Sequence, residues 1–195
     1  MFIVDKAPAS INQALPVPKV IFFDIDDTLS RNGIIATHNQ ATLEALAKTD
    51  IKLVISTGRS KAILPADILA LLEADVLDAI ICMNGQYSFD NKGLISHYPL
   101  SAEQADKIVQ LCQTSQLIHK FDSATHIAWS DENERLRDFN AKTPNSIVDP
   151  LYYQSNPVYQ CSVFFNNQFD KMQDIDFAQD DLKLVHWHHI GADIL

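Results

Sequence analysis

The stretch VIFFDIDDTL, residues 20–29, is a run of four apolar side chains followed by a cluster of three carboxylates. A short apolar run of this kind is typical of a strand that is buried on both faces of a parallel sheet. Side chains two residues apart on an extended backbone project in the same direction. We therefore expect the carboxylates of Asp24 and Asp26 to point towards the same substrate atom. Ligands of open α/β sheets bind beyond the carboxyl ends of the strands. The stretch therefore predicts a ligand-binding site that carries a cluster of carboxylates. A bound cation, a proton or phosphate chemistry is needed to account for this concentration of negative charge.

Composition narrows the classes of partner. The 195-residue chain has a formal net charge of −10 at pH 7, which argues against binding to a nucleic-acid backbone. Its three cysteines are widely spaced and predict no disulfide framework, which favours a reducing, cytoplasmic setting. No stretch of the sequence approaches the length and apolarity of a membrane span. We therefore expect a soluble cytoplasmic protein that binds neither nucleic acid nor membrane.

Strand and helix patterns alternate in the first half of the chain. Strands are predicted at Lys19–Asp24, Ile51–Ser56 and Leu77–Met83, with helices at Ala41–Thr49 and Ser60–Ala74. Strands that alternate with helices imply parallel pairing and right-handed crossovers. The fold class predicted for this part is α/β, a partial Rossmann-like core in which helices cover both faces of a parallel sheet.

The pattern changes after the third strand. Gln86–Phe89 and Leu94–Tyr98 flank a turn that contains glycine, as in a hairpin. Ser101 and Gln104 then predict a capping box for a helix that ends near Thr114. Further strands are predicted at Leu117–Phe121, Thr125–Trp129, Val158–Phe165, Leu182–Trp187 and Ile190–Leu195, and further helices at Glu132–Lys142 and Gln168–Ile175. We expect a flexible arm over residues 1–18, the core over 19–98, and a separate α+β unit over 99–195.

The paired aspartates fit phosphoryl-transfer chemistry. One ionised carboxylate can attack phosphorus to form an acyl-phosphate, and the other can protonate the leaving oxygen and later activate water. A Mg²⁺ ion bridging Asp24, a backbone carbonyl and the phosphoryl oxygens would offset the repulsion between these anions. Thr57–Arg59 and Asn84–Gly85 follow the next two predicted strands, so the three motifs are expected to meet at one rim. Hydroxyl and backbone N–H groups at such a rim can bind phosphate.

Residues 24–29, Thr57–Arg59 and Asn84–Gly85 together resemble the first motifs of the haloacid dehalogenase (HAD) superfamily. Their spacing, and the insert after the third strand, resemble the Cof-type, sugar-phosphatase-like branch, which carries a C2-type α/β cap. The resemblance implies a HAD core, with the cap over residues 99–195. It also implies a Mg²⁺-dependent phosphatase of small phosphorylated metabolites, such as sugar phosphates, that works through an aspartyl-phosphate intermediate.

The resemblance also implies a role for each residue of these motifs. Asp24 would be the nucleophile and Asp26 the general acid/base, and the Asp24 carboxylate and Asp26 carbonyl would hold Mg²⁺. Phosphate or substrate contacts are implied for the residues after the second and third strands: Thr57, Gly58, Arg59, Asn84 and Gly85.

Members of this family carry two more motifs after the cap, a lysine and a Gly-Asp strand end with an acidic pair, and neither is found here. The resemblance therefore implies a truncated core with weak or no turnover. It also implies an exposed first strand through which the chain could self-associate. Two alternatives remain open: a non-catalytic binding or regulatory protein, and a phosphomutase-type phosphotransferase that uses the same aspartyl-phosphate chemistry.

Overall fold

The computed structural model describes residues 16–31, 34–132, 143, 145–164, 181–188 and 191–195, which form two main β-sheets and three α-helices. The predicted helix at Gln168–Ile175, most of that at Glu132–Lys142 and most of the N-terminal arm lie outside these residues. The elements in chain order are β1 (Val20–Phe23), β2 (Ser30–Arg31), β3 (Ile34–Ile35), α1 (Thr37–Leu46), β4 (Lys52–Ser56), α2 (Ala66–Glu73), β5 (Ala79–Cys82), β6 (Tyr87–Asp90), β7 (Gly93–His97), α3 (Ala102–Thr114), β8 (Ile118–Asp122), β9 (Ile127–Trp129), β10 (Ser146–Val148), β11 (Gln160–Phe164), β12 (Leu184–His188) and β13 (Gly191–Ile194).

The first sheet has the strand order β1-β4-β5-β6-β7. β1, β4 and β5 pair in parallel, which confirms the predicted α/β fold class, and β6 and β7 add an antiparallel hairpin. Gly93 closes that hairpin with a φ of 132°, a backbone conformation that side chains rarely allow. The core of this sheet is strongly apolar, since Ile25, Leu53 and Ile80 are fully buried. The three parallel strands therefore deliver the motif residues to one edge.

The predicted helix over Ser60–Ala74 is wrong as a single element. The structure has a short 3₁₀ turn at Lys61–Ile63, and α2 starts only at Ala66. Proline disfavours helical geometry in the residue before it, and Leu64 is accordingly extended, with φ −63° and ψ 139°. Pro65 itself occupies the N-cap of α2, where the lack of an N–H group costs little.

The second sheet has the order β10-β9-β8-β11-β13-β12, with α3 packed against one face. The predicted capping box is present, because the Ser101 side chain accepts from the Gln104 backbone and Gln104 reciprocates. β10 was not predicted, because residues 145–157 have the composition of a loop. A strand of three residues is also too short to show an alternation of polar and apolar side chains. The described part of residues 99–195 thus contains a six-stranded sheet and one α-helix.

β1 is the edge of the first sheet among the described strands. Phe22 is 60% exposed there, and Val20 is 40% exposed. Within the described part of the chain, every helix is too short or too polar to cross a membrane.

Candidate active site

The residues after β1, β4 and β5 lie at one rim of the first sheet, because these strands are parallel neighbours. Hydrogen bonds connect the three segments: Arg59 contacts Asp26, and the backbone N–H of Asn84 donates to the Thr57 carbonyl at 3.3 Å. The structure therefore brings together the motifs that the sequence distributes over sixty residues.

A tight turn holds the aspartates at the rim. Ile25 between them is fully buried, and its carbonyl accepts from the backbone N–H groups of Leu29 and Ser30. Asp27 has a φ of 56°, a left-handed conformation that short polar residues adopt more readily than others. Asp24 is exposed and accepts no hydrogen bond from any residue that the structure describes. Its carboxylate is thus accessible to a ligand.

Asp26, in contrast, is held by Arg59. The guanidinium donates from Nε to Oδ2 and from Nη2 to Oδ1, each at 2.8 Å, which is a bidentate ion pair. Hydrogen bonding from Arg59 lowers the pKa of Asp26 below its ordinary value of 3.8, although partial burial opposes the effect. In this arrangement Asp26 is an ionised base at neutral pH. Donation of a proton by Asp26 would require Arg59 to leave it.

The loop after β4 is fixed by backbone contacts on both sides. The Thr57 N–H donates to the Ile81 carbonyl at 2.9 Å, and the Arg59 N–H donates to Thr57 Oγ1 at 3.2 Å. The Arg59 carbonyl accepts from the Met83 N–H at 3.0 Å. Thr57 is only 5% exposed.

Gly58 allows the loops after β4 and β5 to approach closely. A Cβ atom on Gly58 would lie 3.2 Å from Asn84 Oδ1, which is a tight contact. Met83, Asn84 and Gly85 have φ values of 51°, 55° and 103° in succession. Such a run is unfavourable for ordinary side chains, and it turns the Asn84 amide towards the second sheet.

A polar face of the second sheet lies over this rim, and the sequence reading missed it. Its members are Lys120 and Asp122 on β8, Gln160 and Ser162 on β11, and Asp193 on β13, all at most 9% exposed. They alternate with apolar residues along each strand and pair across strands, as Ser162 does with Lys120 and Asp193. The alternation of polar and apolar residues in β8 and β11 was the available signal.

Two side chains join this polar face to the rim. Gln160 Nε2 donates to the Gly58 carbonyl at 3.1 Å and to Asp122 at 2.6 Å. Asn84 Nδ2 donates to Gln160 Oε1 at 3.2 Å and to Asp193 Oδ2 at 3.4 Å. Lys120 Nζ in turn contacts both oxygens of Asp122, at 2.6 and 2.7 Å. The glycine and asparagine of the rim thus form one hydrogen-bonded network with the second sheet.

The rim offers oxygen donors of the type that Mg²⁺ prefers. The Asp24 carboxylate is accessible, and the Asp26 carbonyl accepts no backbone hydrogen bond among the described residues. Mg²⁺ commonly takes one or two carboxylates and completes its octahedron with water and substrate phosphate. The described residues contain no group of three or more acidic, histidine or cysteine side chains placed to hold a metal. The Asp24 carboxylate and the Asp26 carbonyl are therefore ligands of the type that Mg²⁺ binds, but they are few for a protein metal site.

The family model for haloacid dehalogenase-like hydrolases matches residues 21–193, which is most of the chain and includes every motif described above. The chain belongs to the haloacid dehalogenase-like hydrolases. This match confirms the family resemblance that the motifs predicted. It also confirms that this HAD-like chain belongs to a family of hydrolases.

A Streptococcus pyogenes protein, named as a putative bifunctional phosphatase/peptidyl-prolyl cis-trans isomerase, is 25% identical to this HAD-like hydrolase over 181 residues. The match takes in 91% of this chain but only 37% of that protein. The chain thus spans little more than a third of the length of this relative.

Solved structures share the fold of this HAD-like hydrolase. The HAD subclass IIB sugar phosphatase BT4131 superposes with a TM-score of 0.74 at 22% identity, over 90% of this chain and 69% of its own. A haloacid dehalogenase-like hydrolase from B. subtilis gives a TM-score of 0.74 at 17% identity, over 90% of this chain and 72% of its own. At such identities the likeness establishes the fold alone.

Proposed function

We propose that this hydrolase is a Mg²⁺-dependent phosphatase of small phosphorylated metabolites, of which sugar phosphates are the best candidates. The observation that carries the proposal is the accessible Asp24 carboxylate at a rim that it shares with Thr57 and Asn84. Nucleophile and phosphate-binding groups would converge there on one phosphoryl group. The family and the sugar-phosphatase neighbour support the same reaction class.

Asp24 is the proposed nucleophile. Its carboxylate would attack phosphorus and form an aspartyl-phosphate while the bond to the substrate oxygen breaks. The Thr57 hydroxyl and the backbone around Gly58 would contact the phosphoryl oxygens. Asn84 would hold the same group from the β5 side, with the positive φ of the neighbouring Gly85 shaping the turn.

Asp26 is the proposed general acid/base, and Arg59 controls its protonation state. Paired with Arg59, Asp26 is ionised and suited to take a proton from the water that hydrolyses the aspartyl-phosphate. To protonate the leaving oxygen first, Asp26 must lose this pairing. We propose that the substrate phosphate draws Arg59 away, since a guanidinium binds phosphate and carboxylate in the same bidentate manner.

The polar face of the second sheet is the proposed contact for the leaving group. Lys120, Gln160 and Ser162 provide donors there, and Asp122 and Asp193 provide acceptors. This mixture suits an alcohol with several hydroxyl groups better than an apolar or strongly anionic one.

The Asp24 carboxylate and Asp26 carbonyl are the groups that would hold Mg²⁺, which would neutralise charge on the phosphoryl oxygens. Because this donor set is sparse, we expect slow turnover. A cytoplasmic location belongs to the same proposal, in keeping with the three free cysteines.

The test is phosphate release from an aryl phosphate and a set of hexose phosphates, with Mg²⁺ and with chelator. We expect slow, Mg²⁺-dependent release that Asp24→Asn abolishes. Asp27→Asn is the matched control, because it changes an exposed neighbouring carboxylate and should leave the rate within about twofold. Equal activity in Asp24→Asn and the parent would refute the assignment of the nucleophile.

Trapping of the intermediate separates the alternatives. Hydroxylamine-labile phosphate on Asp24, followed by release to water, supports the phosphatase. Transfer to a sugar hydroxyl instead would indicate a phosphomutase-type phosphotransferase. Binding of sugar phosphates without any labelling would indicate a non-catalytic binding protein.

A further inference from the structure

A cavity of about 590 Å³ lies on the side of the second sheet that faces away from the rim. It is bounded by α3, by the end of β9 and by the turn over residues 150–154. Neighbouring residues of a strand point to opposite faces, so His119 of β8 lines this cavity while Lys120 belongs to the polar face over the rim. The cavity is therefore separate from the candidate active site, and its volume is in the range of small-molecule sites.

The walls of the cavity carry negative charge. Asp106 on α3 and Asp131 after β9 both line it, and no lysine or arginine does so in the part of the chain that the structure describes. Amides and a hydroxyl supply further polar groups of the lining: Gln110, Gln113, Gln116, Gln154 and Ser130. A concave surface with charges of one sign raises the local concentration of ions of the opposite sign. The lining therefore favours a cation over a neutral or anionic ligand.

Tyr153 gives the cavity an aromatic wall beside one of these carboxylates. Its hydroxyl donates to Asp106 Oδ1 at 2.9 Å, and its ring packs on Phe121 with 5.3 Å between the centroids. An aromatic ring and a carboxylate together suit an alkylammonium group. The described residues contain no group of three or more side chains that could hold a metal ion. The cation expected in this cavity is therefore an organic amine.

His119 supplies an independent observation that points to a ligand. The side chain is 5% exposed, and its Nδ1 atom has no hydrogen-bond partner among the described residues. Ser130 holds the His119 backbone on both sides, since its hydroxyl accepts from the His119 N–H at 3.1 Å and its own N–H donates to the His119 carbonyl at 2.9 Å. The ring packs edge-on against Phe121, with 5.7 Å between the centroids. An unpaired buried ring nitrogen costs folding free energy, and an N–H donor bound in the cavity would remove this cost.

We propose that this cavity binds a small organic diamine, with one ammonium group at Asp106 and the other at Asp131. One N–H group of the diamine donates to His119. Aliphatic amines are protonated at neutral pH, so each contact with a carboxylate is a charge-assisted hydrogen bond. This binding site does not depend on the proposed phosphatase activity.

The experiment titrates putrescine into the folded, full chain at low ionic strength. Isothermal titration calorimetry measures the affinity, and NMR of the backbone amides locates the site. The matched probes are 1,4-butanediol and succinate, which keep a four-carbon skeleton and replace the ammonium groups by hydroxyls or carboxylates. We expect binding of putrescine alone, with shifts at the cavity residues and with an affinity that falls as salt is added.

Variants of the two carboxylates test the contacts. Asp106→Asn and Asp131→Asn should each weaken putrescine binding about tenfold, because each removes one charge-assisted hydrogen bond. Glu103→Gln is the matched control, since Glu103 is a carboxylate of α3 that pairs with Lys107 and does not line the cavity. Its affinity for putrescine should change by less than about twofold.

His119→Phe tests the ring nitrogen, because it keeps a planar ring beside Phe121 and removes the hydrogen-bonding atoms. We expect about fivefold weaker binding of putrescine together with a higher Tm of the free protein, since the unpaired nitrogen is gone. Damage to the fold would lower the Tm instead. Unchanged affinity in His119→Phe would refute the role of His119.

Circular dichroism of each variant keeps the comparison restricted to folded protein. Equal affinities for putrescine and 1,4-butanediol would refute the requirement for a cation. The proposal would be overturned if the parent failed to bind putrescine, if the NMR shifts lay at the acidic rim, or if both aspartate variants kept the parent affinity. Each readout is a binding heat, a chemical shift or a Tm, so inactivity towards phosphate esters has no bearing on the result.

Discussion

At the scale of single residues, the ion pair between Arg59 and Asp26 determines the charge state of one carboxylate at the rim. The contact joins residues that are 33 positions apart and places an ionised carboxylate beside Asp24. Arg59 therefore reduces the repulsion between the two aspartates, and in the proposed mechanism it also competes for the carboxylate that would donate a proton. Its removal should alter both the protonation of Asp26 and the dependence of folding on pH.

We predict that Arg59→Ala raises the pKa of Asp26, measured by NMR titration of the side-chain carboxyl carbon. The lowered pKa in the folded parent means that the ion pair stabilises the fold above the ordinary value of 3.8. This contribution is lost as the pH falls through the folded-state value. The stability difference between the parent and the variant should accordingly shrink in acid.

Arg31→Ala is the control for this prediction. Arg31 lies 3.7 Å from Asp27 in a pair that is more than 80% exposed on both sides, and it makes no contact with Asp26 among the described interactions. An equal rise in the Asp26 pKa in both variants would show that general charge, rather than the bidentate contact, sets it.

At the scale of elements, local sequence signals fix where α2 and α3 begin. Pro65 ends the 3₁₀ turn and starts α2, and the Ser101–Gln104 box starts α3. Both signals act through backbone geometry or through hydrogen bonds within four residues.

We predict that Ser101→Ala lowers the free energy of unfolding by about 1 kcal/mol, because the backbone N–H of Gln104 in the first turn of α3 loses its side-chain partner. Urea denaturation followed by circular dichroism measures this change. Ser115→Ala at the other end of α3 is the matched control, since the Ser115 side chain makes no hydrogen bond among the described residues. Similar losses in the two variants would contradict the capping role.

At the scale of the whole molecule, a buried polar network holds the second sheet over the rim of the first. Gln160 links Gly58 to Asp122, and Ser60 Oγ donates to the Ser123 carbonyl at 2.7 Å. Buried polar groups of this kind stabilise one arrangement only if each member keeps its partners. The network therefore makes the position of the second sheet sensitive to single substitutions.

We predict that Asp122→Ala lowers the free energy of unfolding by about 3 kcal/mol, because Lys120 would remain buried without its counter-ion. Chemical denaturation at neutral pH measures the effect. Glu103→Ala removes the exposed pair with Lys107 and should cost less than about 0.5 kcal/mol. A small loss in Asp122→Ala would show that water replaces the carboxylate.

The exposed β1 edge leads to a prediction about association. A strand that has a partner on one side only among the described strands, and that exposes Phe22 and Val20, is a template for pairing with a second copy. We predict concentration-dependent oligomers in sedimentation velocity, and their loss in Phe22→Lys.

Leu94→Lys, on the opposite edge strand β7, is the matched control for this prediction. Leu94 is 52% exposed, but the pairing of β6 with β7 carries a register shift, which discourages further pairing at that edge. Dissociation by Leu94→Lys rather than by Phe22→Lys would assign association to the other edge.

The sequence by itself determined the local parts of this protein. The apolar run before Asp24, the alternation of strands and helices, and the capping box each depend on residues close together in the chain. Short-range patterns of this kind are readable because backbone geometry and burial impose fixed periods. The parallel sheet, the three motifs at one rim and the family followed from them.

Only the tertiary structure decided which side chains meet across these parts. Asp26 is paired with Arg59, Gln160 donates to the Gly58 carbonyl across 102 positions of the chain, and Ser60 donates to the Ser123 carbonyl. None of these contacts produces a periodic pattern in the sequence, because each depends on how two elements pack against each other. The sequence identifies the carboxylates of the rim. Long-range packing determines the protonation state of Asp26 and places the polar face of the second sheet over the rim.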